Sequence, residues 1–393
     1  MMTRNAALLT DGAPNGELLR GCLREWRAEA PRLQALRDYV QRRHPIDGRA
    51  RRRGLPNNRL GHDLPGYIAQ TAAGYLLGEP VEYKGDAKAL QAVLSAYAAS
   101  DTQSEDCELA VDAACYGKAV ELCYADEQAR PRVAQADPLR CFVVYGDDAL
   151  HRPLFGVATG ERRGADGRSM GALATVYTAE EIIRYEGPGL DALTESGRER
   201  HFFGGVPMIE YWNNARETGD FESVLPLIDA YDALQSDRVN DKQQFTDAIL
   251  VLYGVSGLTS EEGDARQRLR EEKTLCMPDG DARVEFLTKQ LSESDTEVLR
   301  KSLCEDIHKL SFVPDLSDRD FAGNQSGVAL RFKLFGLTQL TRIKERWFRE
   351  GLRTRLRLMS AFLALSGAPM LDADAVDIVF HRAQLWEEGG QTA

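Results

Sequence analysis

Residues 328–366 have the sequence VALRFKLFGLTQLTRIKERWFREGLRTRLRLMSAFLALS and carry the strongest helical periodicity in the chain. The stretch contains no proline, and its two glycines, Gly336 and Gly351, mark the positions where a kink is expected. At about 1.5 Å per residue, a helix of this length spans roughly 55–60 Å, more than an ordinary domain helix. We therefore predict a long kinked helix that lies against several other elements or other subunits.

Two predicted helices, a small insert between them and a loop precede this helix. Residues 225–247 form an amphipathic helix, and residues 291–311 are helical again. Between them, residues 248–290 predict a compact α/β insert, with a charged helix around 259–272 and short strands at 249–253, 273–277 and 283–287. Residues 312–327 (FVPDLSDRDFAGNQSG) lack periodicity, and such a long loop in a compact protein is more often functional than accidental.

The N-terminal half mixes helices and strands. Helical spacing marks residues 15–45 and 64–78. Apolar strands follow, separated by turns rich in Gly and Asp, at 119–124, 141–145, 155–159 and 175–177. Short turns imply mostly antiparallel connections, and a further strand is expected at 376–380. We therefore predict an α+β fold.

Charge, hydropathy and cysteine spacing argue against several classes of protein. The net charge is −12, so the chain lacks the cationic bias of proteins that hold nucleic acid by neutralising phosphates. A basic run from Arg42 to Arg53 is expected to be a solvated loop, with contact to DNA or another protein as the alternative. We find neither a secretory signal nor the roughly 18–20 uncharged apolar residues of a membrane helix. The seven cysteines form no CxxC pair and are expected to be reduced, mostly buried thiols of a cytosolic product.

An enzyme is the rival interpretation. The sequence contains no G-x-x-x-x-G-K-[ST] phosphate loop, no H-E-x-x-H and no G-x-S-x-G motif. Cys304 and His308 lie four residues apart on a predicted helix, a spacing that suits half of a metal site or a nucleophile–base pair. Nothing nearby in the sequence supplies further ligands or an oxyanion hole. We therefore expect a core Cys beside a surface His, with no catalytic residue, metal or cofactor.

Five collinear blocks run through the chain between about residue 35 and residue 382. They are Asn57-Asn58 with Tyr67-Ile68 and 74–81 (GYLLGEPV); 116–124 (YGKAVELCY); 206–211 (VPMIEY) with Asn213-Asn214 and Gly219-Asp220; 227–231 (LIDAY) with Ser236 and Asn240-Asp241; and 321–327 (FAGNQSG). Together they resemble the SPP1-type (SPP1 Gp6-like) family of bacteriophage portal proteins. A single block occurs by chance, but five in the same order make the resemblance specific.

The resemblance implies a ring-forming portal fold, with twelve copies around a channel. Its regions would be an α+β wing at 1–224, stem helices at 225–247 and 291–311, a clip at 248–290, a tunnel loop at 312–327, the long helix at 328–366, and a C-terminal wing strand and tail at 367–393. Family members usually continue into a helical crown. Here the crown is expected to be minimal or absent.

The resemblance also implies candidate site residues. The tunnel loop would present small or polar side chains to DNA, namely Asp315, Ser317, Asp318, Arg319, Asp320, Asn324, Gln325 and Ser326. On the long helix, Lys333 would approach the lumen of the channel. In the clip, an acidic helix would face the packaging ATPase or an adaptor, with a plain solvated face as the alternative; its residues are Glu261, Glu262, Asp264, Glu271 and Glu272.

The implied function is that of the channel at one capsid vertex of the virion, through which double-stranded DNA is packaged and ejected. The implied partners are further copies of the chain, the DNA, the terminase large subunit, the major capsid and scaffolding proteins and a head–tail adaptor; no membrane is involved, and assembly would take place in the host cytoplasm. An acidic ring suits such a channel because it offers phosphates few partners. The alternative is another ring-forming virion connector or head–tail adaptor without a portal role.

Overall fold

The computed structural model describes residues 1–50, 55–245, 249–253, 274–277, 283–287, 293–317 and 327–382. The chain forms two compact units. The larger unit comprises residues 1–41, 63–224 and 308–393, and the smaller comprises residues 42–62 and 225–307. Each unit is therefore assembled from segments that lie far apart in the sequence.

Helices and strands are mixed along the chain, which confirms the predicted α+β class. The helices are α1 (Gly16–Val40), α2 (Leu64–Leu77), α3 (Ala87–Ser100), α4 (Thr102–Tyr116), α5 (Leu225–Phe245), α6 (Glu293–Ser311), α7 (Gly327–Lys333) and α8 (Phe335–Ala364). The strands are β1 (Met2–Arg4), β2 (Leu9–Thr10), β3 (Ala13–Pro14), β4 (Glu82–Lys84), β5 (Lys118–Ala125), β6 (Pro131–Ala136), β7 (Cys141–Gly146), β8 (Pro153–Arg163), β9 (Ser169–Tyr177), β10 (Glu181–Gly187), β11 (Thr194–Arg200), β12 (Met208–Trp212), β13 (Ile249–Tyr253), β14 (Thr274–Met277), β15 (Arg283–Leu287) and β16 (Asp377–Val379).

The largest sheet of the larger unit has the strand order β1-β7-β8-β9-β10-β11. Its pairings are antiparallel, as the short turns predicted, except that β1 runs parallel to β7. Helix α1 begins after Asn15, whose side chain accepts hydrogen bonds from two backbone amides of the first turn. The helix then buries Leu19 and Leu23 against Phe142 and Phe155 of the sheet.

A second core of the larger unit joins α2, α3, α4 and α8 to the three-stranded sheet β12-β5-β6. Its fully buried side chains come from helices and strands alike and include Leu76, Leu109, Tyr211 and Leu352. The sequence did not predict α3, β10 or β11. Strand β11 is almost entirely exposed and charged, so it lacks the alternation of apolar and polar residues that marks a half-buried strand.

The long helix is interrupted at a different place from the one predicted. It breaks at Leu334, a buried residue with φ −88° and ψ 2°, between α7 and α8. Gly351 lies inside the continuous helix α8, where a Cβ atom would come within 2.4 Å of the Tyr211 ring. The predicted kink at Gly351 is therefore wrong, because this glycine allows the helix to approach β12 closely. At Gly336, two residues after the break, the helix also continues.

Two buried cations attach α8 to the rest of the larger unit. Arg355 is fully buried, with Nη2 2.6 Å from Asp106 Oδ1 on α4 and Nε 2.9 Å from Glu121 Oε2 on β5. Eleven residues earlier on the helix, Lys344 donates to Asp220, which also accepts from Asn213 Nδ2 at 2.8 Å. Buried charges are costly unless they are paired, so these contacts fix the register of α8.

The smaller unit contains α5, most of α6 and the sheet β14-β13-β15. Strand β13 pairs parallel with β14 and antiparallel with β15. The predicted strands of the insert are confirmed within one residue. The charged helix predicted around 259–272 lies outside the described residues.

Candidate functional site

The predicted loop at 312–327 starts from a base held by Tyr67 on α2. The Tyr67 hydroxyl donates to the Pro314 carbonyl at 2.8 Å and accepts from the Leu316 amide at 3.0 Å. Two backbone polar groups that are 247 and 249 residues away in the sequence are thereby satisfied by one side chain. Each such hydrogen bond contributes about 1 kcal/mol to stability. Residues 314–316 are therefore held against α2.

The last turn of α6 closes the same base. His308 donates through Nδ1 to the Val313 carbonyl at 2.9 Å, which fixes the ring tautomer because a carbonyl only accepts. Its ring also meets the Tyr67 ring edge-on, with centroids 5.7 Å apart. Val313 is fully buried, whereas Phe312 has a φ of 61° and is 57% exposed. The chain thus reverses at Phe312, buries one apolar side chain and then leaves the helix.

Of the predicted tunnel-loop residues, Asp315 and Ser317 belong to the described part of the chain. Asp315 Oδ1 accepts from the Ser317 amide at 2.9 Å and from the Ser317 hydroxyl at 2.6 Å, an Asx turn that stiffens the start of the loop. Ser317 is exposed and Asp315 is partly exposed. The other predicted loop residues lie outside the described residues: Asp318, Arg319, Asp320, Asn324, Gln325 and Ser326.

Lys333 is the last residue of α7, immediately before the break at Leu334, and its side chain is partly exposed. The break therefore lies between Lys333 and the straight part of the long helix. The acidic residues predicted for the insert lie outside the described residues: Glu261, Glu262, Asp264, Glu271 and Glu272.

A polar clamp in the smaller unit was not predicted. Residues 42–50 and 55–62, here called the strap, run along α5 and are fastened to it by side-chain hydrogen bonds. Asp232 is fully buried and accepts from His44 Nδ1 at 2.6 Å and from His62 Nδ1 at 2.7 Å. Burial raises the pKa of the Asp232 carboxyl, but the hydrogen bonds from His44 and His62 outweigh burial and lower this pKa below its usual value.

The strap continues along α5 at regular intervals. The Leu60 amide donates to Ser236 Oγ at 2.9 Å, and Asn58 Nδ2 donates to Asn240 Oδ1 at 2.8 Å. Arg49 pairs with Asp237 at 2.5 Å while its side chain stays 36% exposed, so this residue of the basic run is both solvated and bound to α5. Asn58, Ser236 and Asn240 all belong to the blocks noted in the sequence, and their pairing explains why these blocks occur together.

Beside Cys304 and His308 the structure places Asp315, a third possible ligand that the sequence did not suggest, and possible ligand atoms of the three residues lie within 4.8 Å of one another. Cys304 and His308 lie on successive turns of α6, as predicted. However, the Nδ1 atom of His308 is engaged by the Val313 carbonyl, which leaves Nε2 alone for proton transfer or a metal.

Among the described helices, none has the length and apolar character needed to cross a membrane.

Comparison with known families decides the identity. The family model described as phage portal protein, SPP1 Gp6-like, matches residues 19–384. The chain belongs to the SPP1-type portal family. This confirms the resemblance recognised in the five sequence blocks, and it places the loop base and the long helix within a structural protein of phage particles.

Relatives in the portal family are distant in sequence. The chain is 24% identical over 327 residues to the portal protein of Bacillus phage SPP1, covering 79% of this chain and 64% of the relative. It is 27% identical over 174 residues to the portal protein of Clostridium phage phiCD119, covering 42% of this chain and 37% of the relative. The matches thus span less than two thirds of the length of these curated relatives. A solved HK97-family phage portal protein from Corynebacterium diphtheriae is similar with a TM-score of 0.41 and 11% identity, covering 80% of this chain and 91% of that one.

Proposed function

We propose that the chain assembles into a ring, of twelve copies, around a channel for double-stranded DNA at one vertex of the capsid. The observation that carries this proposal is the match of the portal family model over residues 19–384. In this proposal the ring docks the terminase large subunit during packaging and a head–tail adaptor afterwards. The ring contacts the major capsid and scaffolding proteins, and it assembles in the host cytoplasm before it becomes part of the virion.

In this proposal each portal region corresponds to one or two stretches of the chain. Residues 1–224 and 367–393 form the wing, α5 and α6 the stem, residues 248–290 the clip, and residues 312–327 the tunnel loop that leads into the long helix 328–366. The firmly held base at Val313–Leu316 supports the loop assignment, because a loop that moves against DNA needs a fixed anchor at its root. Lys333 then approaches the channel, and the acidic residues of the clip face the packaging ATPase or the adaptor.

The acidity of the chain supports passage of DNA without tight binding. With a net charge of −12 per copy, a ring offers few cationic partners to phosphates, so the energy wells along the duplex stay shallow. A protein that held DNA firmly would need clustered Lys and Arg. Polar, mostly non-cationic residues at 315–326 fit transient contact with the passing duplex.

Electron microscopy of the purified full chain tests the proposal. We expect rings with a central hole wide enough for a B-form duplex, and a narrow clip at one end of the channel. A uniformly monomeric protein under assembly-promoting conditions contradicts it, and a ring without a stem and clip favours the connector or adaptor alternative. Alanine substitution of Asp318, Arg319 and Asp320 is expected to leave the rings intact while impairing DNA packaging in a reconstituted motor.

A further inference from the structure

Helix α8 is strongly basic in an acidic chain. It carries seven basic and two acidic residues, whereas the chain as a whole has a net charge of −12. Five of the seven basic residues form ion pairs within the described residues, namely Lys344, Arg349, Arg353, Arg355 and Arg357. The remaining two are Arg342 and Arg346. Both are exposed, and neither has a carboxylate partner in the described part of the chain.

Arg342 and Arg346 belong to a face of α8 that also carries exposed apolar side chains. Phe335 is 59% exposed and Ile343 is 49% exposed. Phe335, Arg342 and Arg346 are spaced by seven and four positions, and Ile343 lies three positions before Arg346, so the four residues lie on one side of the helix. We call residues 335, 342, 343 and 346 the outer stripe. A face that combines arginines with a phenylalanine and an isoleucine has the composition of a protein interface.

Helix α6 has an exposed face on which two adjacent acidic residues lie between Lys301 and Lys309. Val298 is 70% exposed and Leu299 is 50% exposed, and Glu305 and Asp306 follow them seven residues later on the same side. We call these four residues the acidic stripe. Lys301 lies 3.7 Å from Glu305, a weak contact between exposed groups, while Asp306 has no ion-pair partner among the described residues. Lys309 lies one turn beyond Asp306, so the negative charge on this face is confined to Glu305 and Asp306.

We propose that the outer stripe of α8 in one copy packs against the acidic stripe of α6 in the neighbouring copy. The inference rests on the proposed ring and names the surfaces that join its members. In the outer stripe Phe335 precedes Arg342 by seven residues, and in the acidic stripe the two apolar residues precede the two acidic residues by the same interval, about 10 Å along a helix, so apolar and charged contacts are made together. Two different surfaces that meet head to tail form a heterologous contact, the kind that closes into a ring.

DNA is the other partner that two arginines without a carboxylate partner in the described residues would suit, and the apolar residues argue against it. Phosphate contacts are polar and gain affinity from released counterions. Phe335 and Ile343 would remain exposed to water in such a contact, whereas a protein partner covers them. The acidic stripe has the same combination of exposed apolar and charged residues, which a protein partner would cover. The net negative charge of the chain also disfavours DNA as the partner.

Charge reversal tests the contact in the full chain. The variants are R342E/R346E, E305R/D306R and the combination of all four substitutions. A matched control is R20E/R24E on α1, since Arg20 and Arg24 are also four residues apart, exposed and without an ion pair in the described residues. Sedimentation velocity and native mass spectrometry measure the protein concentration at which half of the chains are in rings, and circular dichroism establishes that each variant is folded.

We expect each double reversal to raise the half-assembly concentration by about tenfold or more, because attraction becomes repulsion at every contact of the ring. The combination of four is expected to return assembly to near the wild-type concentration, and the control to leave it unchanged. Folded variants that assemble like the wild type overturn the inference, as does a combination that fails to restore rings. Loss of DNA affinity with unchanged assembly in R342E/R346E would assign the arginines to DNA instead. If the wild-type protein itself forms no ring, the proposed function fails rather than this contact alone.

Discussion

Substitution of Gly351 by alanine should destabilise the protein although it removes a glycine from the middle of a helix. Helix propensity alone favours alanine by about 1 kcal/mol. At this position, however, a Cβ atom would lie 2.4 Å from Cδ1 and Cε1 of Tyr211. The Tyr211 ring has no room to withdraw, because it is fully buried, packs against the tilted Phe348 ring with centroids 4.7 Å apart and donates its hydroxyl to Glu121 at 2.7 Å.

The magnitude follows from the two opposing effects. Overpacking of a core costs about 1–3 kcal/mol, and so close a contact belongs at the upper end, so the net loss after the gain in propensity is about 2 kcal/mol. The assay is urea unfolding followed by circular dichroism, at one protein concentration because assembly adds to apparent stability.

Gly336 on the same helix provides the matched control. A Cβ atom there would come no closer than 3.5 Å to any neighbour, an ordinary contact. Gly336→Ala should therefore stabilise the protein by about 0.5–1 kcal/mol, so that the two variants differ by about 3 kcal/mol. If Gly351→Ala is as stable as Gly336→Ala, the close approach of α8 to Tyr211 is not a packing constraint, and the explanation given for this glycine is refuted.

Three further predictions concern the polar contacts. Tyr67→Phe removes both hydrogen bonds to the loop base and should cost about 1–2 kcal/mol while speeding amide hydrogen exchange at residues 313–317; Tyr75→Phe on the same helix is the control, and equal exchange in both variants would refute the anchoring role. Burial outweighs the attraction of Arg355 and raises the pKa of Asp106 to about 6 in the folded protein. This carboxyl should therefore make the protein lose stability as pH rises from about 4 through 6. Asp106→Asn should flatten that part of a curve of unfolding free energy against pH. The lowered pKa of Asp232 has the opposite sign, so its contribution is present above the unfolded value of 3.8 and is lost as pH falls through the folded pKa; acid titration of Asp232→Asn should lack that loss, and an unchanged acid limb would contradict the clamp.

The elements that sequence patterns predicted are those whose signal is local. The helices α5 and α6 and the strands around Ile249–Tyr253 carry apolar periodicity within their own residues, and the structure confirms them. Strand β11 was missed because its charged, exposed residues carry no such period. Gly351 was misjudged because a glycine in a helix looks like a flexible point, and the ring that requires it lies 140 residues earlier in the sequence.

The loop base and the buried ion pairs also divide into features with a local sequence signal and features without one. The length and composition of residues 312–327 were enough to single out the loop, and the structure shows that it begins with an Asx turn at Asp315. The anchor Tyr67 could not be predicted, because a tyrosine in an apolar helix looks like core until its partner is known. Nothing in the run LRTRLRLM indicates that Arg355 is buried, and its burial is explained by Asp106 and Glu121, more than 230 residues away.

The fastening of the strap to α5 has a consequence for synthesis of the chain. His44 and Asp232 are 188 residues apart, so at a ribosomal rate of about 5–20 residues per second the strap waits about 10–40 s for its partner helix. During that interval His44 and His62 lack the Asp232 carboxylate. The smaller unit can close only after both of its distant pieces have been made, and a fragment that begins at Leu225 would contain a buried aspartate without its donors. Truncations intended to isolate this unit must therefore retain residues 42–62.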